Sequence, residues 1–167
     1  MIMITSVIGL SSCCNHATDV PEKVKTAFSE KFPDAKKIVW EQEDKNEWEA
    51  EFKMNGKEYS ASYNADGSWI ETEYEIKTNE IPEAAKNTLD TEFTGFEIEE
   101  GEFIENPEGN FYEFEIEKEE KGKEEIEMSV VIDATGKIVK KETLKDDDDD
   151  DDDACHAREI KHLINSM

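Results

Sequence analysis

The sequence predicts an α+β fold: two tandem helix-plus-antiparallel-meander repeats that form one six- to eight-stranded sheet with both helices on one face. Three observations predict it. The middle of the 167-residue chain is written twice, opening at Val20-Pro21-Glu22 and Ile81-Pro82-Glu83 and closing at Asn64-Ala65-Asp66-Gly67 and Asp133-Ala134-Thr135-Gly136. Each opening leads into an apolar pattern of helical period. Each pattern then gives way to runs in which charged and apolar residues alternate, the period of a strand with one buried face. Units of about 60 residues are marginal alone, so one joint sheet and core is expected over residues 20–142, made of repeats 20–76 and 81–142.

The first helix is predicted from Val20 to Phe32, where Val20, Val24, Ala27, Phe28 and Phe32 share one face. Asp19 is placed to cap it, Pro21 suits its first turn, and Pro33 ends it. Ile81, Ala84, Ala85, Leu89 and Phe93 repeat the pattern. Trp48, Ala50 and Phe52 alternate with Glu47, Glu49, Glu51 and Lys53, and Tyr112-Glu113-Phe114-Glu115-Ile116-Glu117 is the second copy. Tyr59, Ala61 and Tyr63 face the core, as do Met128, Val130 and Ile132. Asp66-Gly67 and Thr135-Gly136 turn the chain into Trp69–Tyr74 and Lys137–Glu142, and Asn55-Gly56 and Lys121-Gly122 mark further hairpins. Ile38 to Glu41 and Glu97 to Ile104 supply the first strand of each repeat. The helices then cover the Trp48, Tyr59, Phe114 and Val130 side. The other face is left to Glu47, Glu49, Glu51, Ser60, Ser62, Glu113, Glu115, Glu127 and Ser129, as an antiparallel sheet permits.

Composition narrows function mainly by exclusion. Removing the eight aspartates Asp146–Asp153 from a formal charge of −25 still leaves −17, so the repeats are acidic in their own right. Nucleic acid, which needs clustered lysine and arginine, is a poor partner. Cys13, Cys14 and Cys155, His16, His156 and His162, and the single arginine, Arg158, all lie outside the repeats. The body therefore offers no nucleophilic triad, no imidazole for zinc and no arginine clamp. A carboxylate-based hydrolase is the one remaining, remote, catalytic reading.

Residues 1–19 read as a signal segment. A short apolar run ends in Leu10-Ser11-Ser12-Cys13, which resembles a bacterial lipobox and makes Cys13 the expected lipidation site; no lysine or arginine precedes the run. Residues 143–167 read as an acidic low-complexity linker and tail. Asp146–Asp153 lacks the alternating ligands and glycine of a calcium loop, and Cys155, His156 and His162 on such a tail make no preformed metal site.

The duplicated helix-plus-meander, with V/I-P-E openings and N/D-A-x-G closing turns, resembles the PepSY-like, beta-lactamase-inhibitor-like family of bacterial envelope proteins common in gut Bacteroidetes. The resemblance covers about Val20 to Glu142. It implies a fold of two tandem units and a periplasmic or lipid-anchored location, and it implies no established activity, cofactor or binding residue.

The reading is therefore a non-catalytic envelope binding module, without cofactor, that is a monomer and meets the membrane only through a lipid anchor. It docks a protein or peptide of basic character on the carboxylate face, through Glu49, Glu51, Glu113 and Glu115 flanked by Phe111 and Trp69. Lys53, Lys57 and Lys118 are expected to interleave with the glutamates, because like charges directly opposite destabilise a sheet. The alternative is a cation-responsive, calcium-binding acidic surface.

Overall fold

The computed structural model describes residues 19–119 and 125–144. The chain runs α1 (Glu22–Lys31), β1 (Lys36–Asp44), β2 (Glu47–Met54), β3 (Lys57–Asn64), β4 (Trp69–Glu75), a single 3-10 turn (Thr78–Glu80), α2 (Glu83–Glu92), β5 (Glu97–Asn106), β6 (Gly109–Lys118), β7 (Ile126–Asp133) and β8 (Ile138–Leu144). All eight strands form one antiparallel sheet in the order β1 to β8, so every strand pairs with its sequence neighbours. The α+β class and the upper end of the expected strand count are observed. Cys13, the Lys121-Gly122 hairpin and the Asp146–Asp153 run lie outside the described residues.

Both helices start later than their sequence pattern. Pro21 and Pro82 hold the N-cap positions, with φ of −56° and −59° that lead into the helix. No side chain caps α1, so Asp19 does not have the role its position suggested. Val20 and Phe32, just outside α1, are nonetheless buried with Val24 and Phe28.

Beneath the helices the buried apolar residues form two clusters within the one sheet. Val20, Val24, Phe28 and Phe32 pack on Trp48, Ala50, Phe52, Ala61 and Tyr63 under α1. Ala85, Leu89 and Phe93 pack on Ile76, Phe114, Ile116, Val130 and Ile132 under α2. Each helix can shield only the strands of its own repeat, because a ten-residue helix is about 15 Å long. The gap between the helices is bridged by a row of rings on successive strands. Phe52, Tyr59, Tyr74, Phe103 and Tyr112 stand 5.4, 4.9, 5.0 and 5.4 Å apart from ring to ring. These distances lie in the favourable range for aromatic pairs.

The closing turns dock the helices onto the sheet. Gly67 has φ of +91° and Gly136 of +89°. A Cβ at Gly67 would come within 2.9 Å of the Lys23 carbonyl oxygen, and one at Gly136 within 2.8 Å of the Ala84 carbonyl oxygen. Only glycine satisfies both the backbone and the close approach.

Candidate functional site

Pairing across the strands defines the face away from the helices. Glu49 and Glu51 on β2 stand opposite Ser62 and Ser60 on β3, which stand opposite Glu71 and Glu73 on β4. Glu73 stands opposite Ile104 on β5, and Ile104 opposite Phe111 on β6. Glu113 and Glu115 follow Phe111 at alternate positions of β6 and face Val131 and Ser129 on β7. The sheet thus brings Glu49, Glu51, Glu113, Glu115 and Phe111 onto one face.

Trp69 is not among them. A register irregularity between Ser62 and Tyr63 sets Trp69 opposite Tyr63, on the helix side. There its indole N–H donates to the Thr72 hydroxyl at 3.0 Å, and the Lys31 ammonium lies 3.6 Å from its ring centre. Lys31 also reaches Glu105 on β5 at 3.6 Å, so this contact ties α1 to the second repeat.

The expected lysine interleaving is only partly present. Lys53 pairs with Glu58 on the face. Lys57 lies on the helix side, bonded to Glu80 at 2.8 Å and set over the Tyr74 ring. Lys118 is also on the helix side, near the Phe96 ring. Both have the parity of core residues, Lys57 with Tyr59 and Lys118 with Ile116. Lys140 on β8, opposite Val131, and Lys36 on β1, opposite Lys53, are cations the sequence reading did not name, and Lys140 binds Glu142 at 3.0 Å.

In place of lysines, carboxylates stand directly opposite one another. The pairs are Glu41 with Glu49, Glu75 with Glu102, Glu102 with Glu113, Glu100 with Glu115, Glu97 with Glu117 and Glu117 with Glu127. The proton affinities follow from this crowding. Burial first, then the Glu41 and Glu49 charges, pushes the Glu51 carboxyl above its usual range. Burial raises Glu113, against a hydrogen bond from the Ser129 hydroxyl at 2.6 Å. Burial and the charges of Glu100 and Glu127 raise Glu115. The Glu117 carboxyl, hydrogen-bonded to Glu125 and crowded by Glu99, is pushed up to about 7.

The face is less open than alternation suggested. Ser62 and Glu71 are each 1% exposed, and Ile104 and Val131 are buried. Small residues here lie in register between long ones, so outward parity alone does not mean exposure. Near one end, Glu97, Glu99 and Glu117 bring carboxylate oxygens within 4.8 Å of one another, as do Glu117, Glu125 and Glu127.

Residues 15–58 and 46–140 match the family described as "Putative beta-lactamase-inhibitor-like, PepSY-like". The chain belongs to this PepSY-like family. Among curated proteins none matches it. Solved structures share its fold. A DUF2874 family protein from Bacteroides ovatus is 19% identical, with a TM-score of 0.67 over 77% of this chain and 91% of that one. A BLIP-like protein from Bacteroides fragilis is 18% identical, with a TM-score of 0.66 over 80% and 92%. A protein from Bacteroides eggerthii described as "putative periplasmic" is 20% identical, with a TM-score of 0.65 over 75% and 90%. The PepSY-like resemblance read from the repeat openings and closing turns is thus borne out.

Proposed function

We propose that this PepSY-like protein is a non-catalytic binding module of the bacterial envelope that docks a basic protein or peptide on the face away from its helices. The observation that carries the reading is the row-by-row opposition of glutamates across β1–β2 and β4–β7. Like charges directly opposite destabilise a sheet, so a cationic partner gains both attraction and relief of that repulsion. Glu49, Glu51, Glu113 and Glu115 form the docking surface and Phe111 is its apolar anchor; Trp69, held on the helix side, is left out. Kinship to a BLIP-like structure supports a binding role, and the relative described as periplasmic supports an envelope location. The lipobox-like Leu10-Ser11-Ser12-Cys13 supports anchoring through Cys13. Replacing Glu49, Glu51, Glu113 and Glu115 with Gln tests the reading. Capture of basic envelope proteins should weaken and lose its salt dependence. Equal capture by wild type and variant at every salt concentration would refute it.

A second reading, a cation-responsive surface, is favoured by the clustered oxygens of Glu97, Glu99, Glu117, Glu125 and Glu127. Calorimetric titration with calcium separates the two: saturable heat that Glu117→Gln abolishes supports the cation reading.

A further inference from the structure

The sheet has two edges, β1 and β8, and among the described residues each pairs on one side only. The two edges are built differently. β1 carries Lys36 and Lys37 at its start, Ile38-Val39-Trp40 in its middle, and Glu41, Glu43 and Asp44 towards its end. The strand it pairs with does not complement these charges. Lys36 stands opposite Lys53, Glu41 opposite Glu49 and Asp44 opposite Glu47, so like meets like at each paired charged position of β1. Such oppositions destabilise a sheet. Lys36, Lys37 and Asp44 are exposed. Ile38, at 43%, is the more exposed of the two large apolar side chains that the described residues leave in solvent. Irregularities between Lys36 and Val39 and between Gln42 and Asp44 leave Val39 to Gln42 as regular ladder between the charged ends. In such a ladder alternate residues turn their N–H and C=O groups away from the paired strand.

We infer that β1 is a self-recognition edge: two copies of this chain pair their β1 strands antiparallel, about Trp40, into one continuous sheet. Centred there, Val39 meets Glu41 of the second copy and Ile38 meets Gln42, while Lys36 and Lys37 meet Asp44 and Glu43. Opposite charge then faces opposite charge at both ends of the contact, the reverse of the β1–β2 pairing. Centring on Val39 would set Glu43 and Asp44 beyond the lysines, and centring on Glu41 would set that glutamate against itself. The contact is isologous, so it closes on a dimer and leaves no open chain of copies. The other edge does not suit self-pairing. β8 reads Ile138-Val139-Lys140-Lys141-Glu142-Thr143-Leu144, so an antiparallel copy about its middle opposes Lys141 to Lys141. Lys140 is already bound to Glu142, and the strand leads through Lys145 into eight aspartates. Lysines on an edge can also serve to keep other strands away. On β1, however, they occupy one end only, and the other end carries their counter-charges. The twofold axis is normal to the sheet, so the helices of both copies stay on one side and the two carboxylate faces join on the other. This inference is independent of the docking reading, and it departs from the monomer expected from the sequence.

The test is sedimentation equilibrium of the full chain at about 0.15 M salt, where repulsion between the acidic copies is screened beyond about 8 Å. It should show a dimer with a dissociation constant on the order of 100 μM or tighter, as fits a small interface. Amides of residues 39–42 that point away from β2 should gain protection from hydrogen exchange as the concentration rises. Lys36→Glu combined with Lys37→Glu should weaken the dimer about tenfold or more, and Glu43→Lys combined with Asp44→Lys should do the same. Mixing the two double variants should restore association, because each then meets the opposite charge at both ends. Lys141→Glu, on the other edge, should change association less than about twofold. A chain that stays monomeric at about 1 mM, roughly tenfold above that constant, overturns the inference. So does wild-type association by either double variant, a mixture no stronger than its parts, or protection that appears on β8 in place of β1. Should a double variant fail to fold, the concentration-dependent protection of β1 in the wild type decides alone.

Discussion

The Thr88 hydroxyl donates to the Gly136 carbonyl oxygen at 2.6 Å, joining positions 48 residues apart. The same hydroxyl lies 3.1 Å from the Ala84 carbonyl oxygen within α2, so its single proton is shared between the closing turn and the helix backbone. The helix is thereby pinned to β7 and β8 at the point where Gly136 lies against the Ala84 carbonyl. Gly136→Ala should destabilise the protein by about 2 kcal/mol or more, since it combines a strained φ with a backbone clash. Gly67→Ala should act alike against Lys23. Thr88→Val should cost about 1 kcal/mol. Urea denaturation of the three variants measures all of these, and the two glycine variants should be the more damaged.

Unfolding of the two repeats should be a single event despite their separate cores. The β4–β5 pairing and the Tyr59–Tyr74–Phe103 rings cross the boundary, and Lys31 reaches Glu105. Trp40, Trp48 and Trp69 all lie in the first repeat, so tryptophan fluorescence reports that repeat alone. Its melting curve should superimpose on that from circular dichroism, and residues 20–76 expressed alone should not melt cooperatively. Separated transitions, or a stable fragment, would show independent units.

Stability should rise as pH falls from 8 towards 5. Glu51, Glu113, Glu115 and Glu117 hold protons more tightly in the folded state than the ordinary glutamate value of 4.5, so the folded state binds more protons above that value. Their favourable contribution is complete below the unfolded value and is lost as pH rises through the folded one, about 7 for Glu117. Asp66 and Asp133 act oppositely. Their hydroxyl partners Ser68 and Thr135 hold them low, and that stability is lost in stronger acid. Thermal melts across pH 3 to 9 should therefore peak on the mildly acidic side, and Glu117→Gln should flatten the alkaline limb. A flat profile between pH 5 and 8 would refute the crowding argument.

Cys13→Ala should abolish incorporation of a palmitate analogue and release the protein from membranes, in a host that processes the signal. Unlabelled wild-type protein would rule the anchor out.

The architecture was legible because alternation is a direct record of which face is buried. Phe114 and Val130 lie where period two puts them. Each helix pattern, with its proline opening, was legible for the same reason. The register was not. Glu102 stands opposite Glu113 through the β5–β6 hairpin, whose turn is built by Asn106 accepting the Glu108 and Gly109 N–H groups, and Pro107 disguised it. Trp69 was misplaced because one irregularity at Ser62 and Tyr63 flips the parity of what precedes it on β4. Ser62 and Glu71 gave no sign of burial, because both are polar residues on the outward parity of their strands.

The unbroken β1-to-β8 order bears on how the chain reaches its folded state. Since each strand waits only for the one made just before it, pairing can advance in the order in which the polypeptide is delivered. No early segment has to be held open for a distant latecomer, and loop-closure entropy stays small at every step. A chain threaded through a membrane from its N-terminal end could zip up hairpin by hairpin as it emerged. The partly built sheet would then expose one growing edge rather than several.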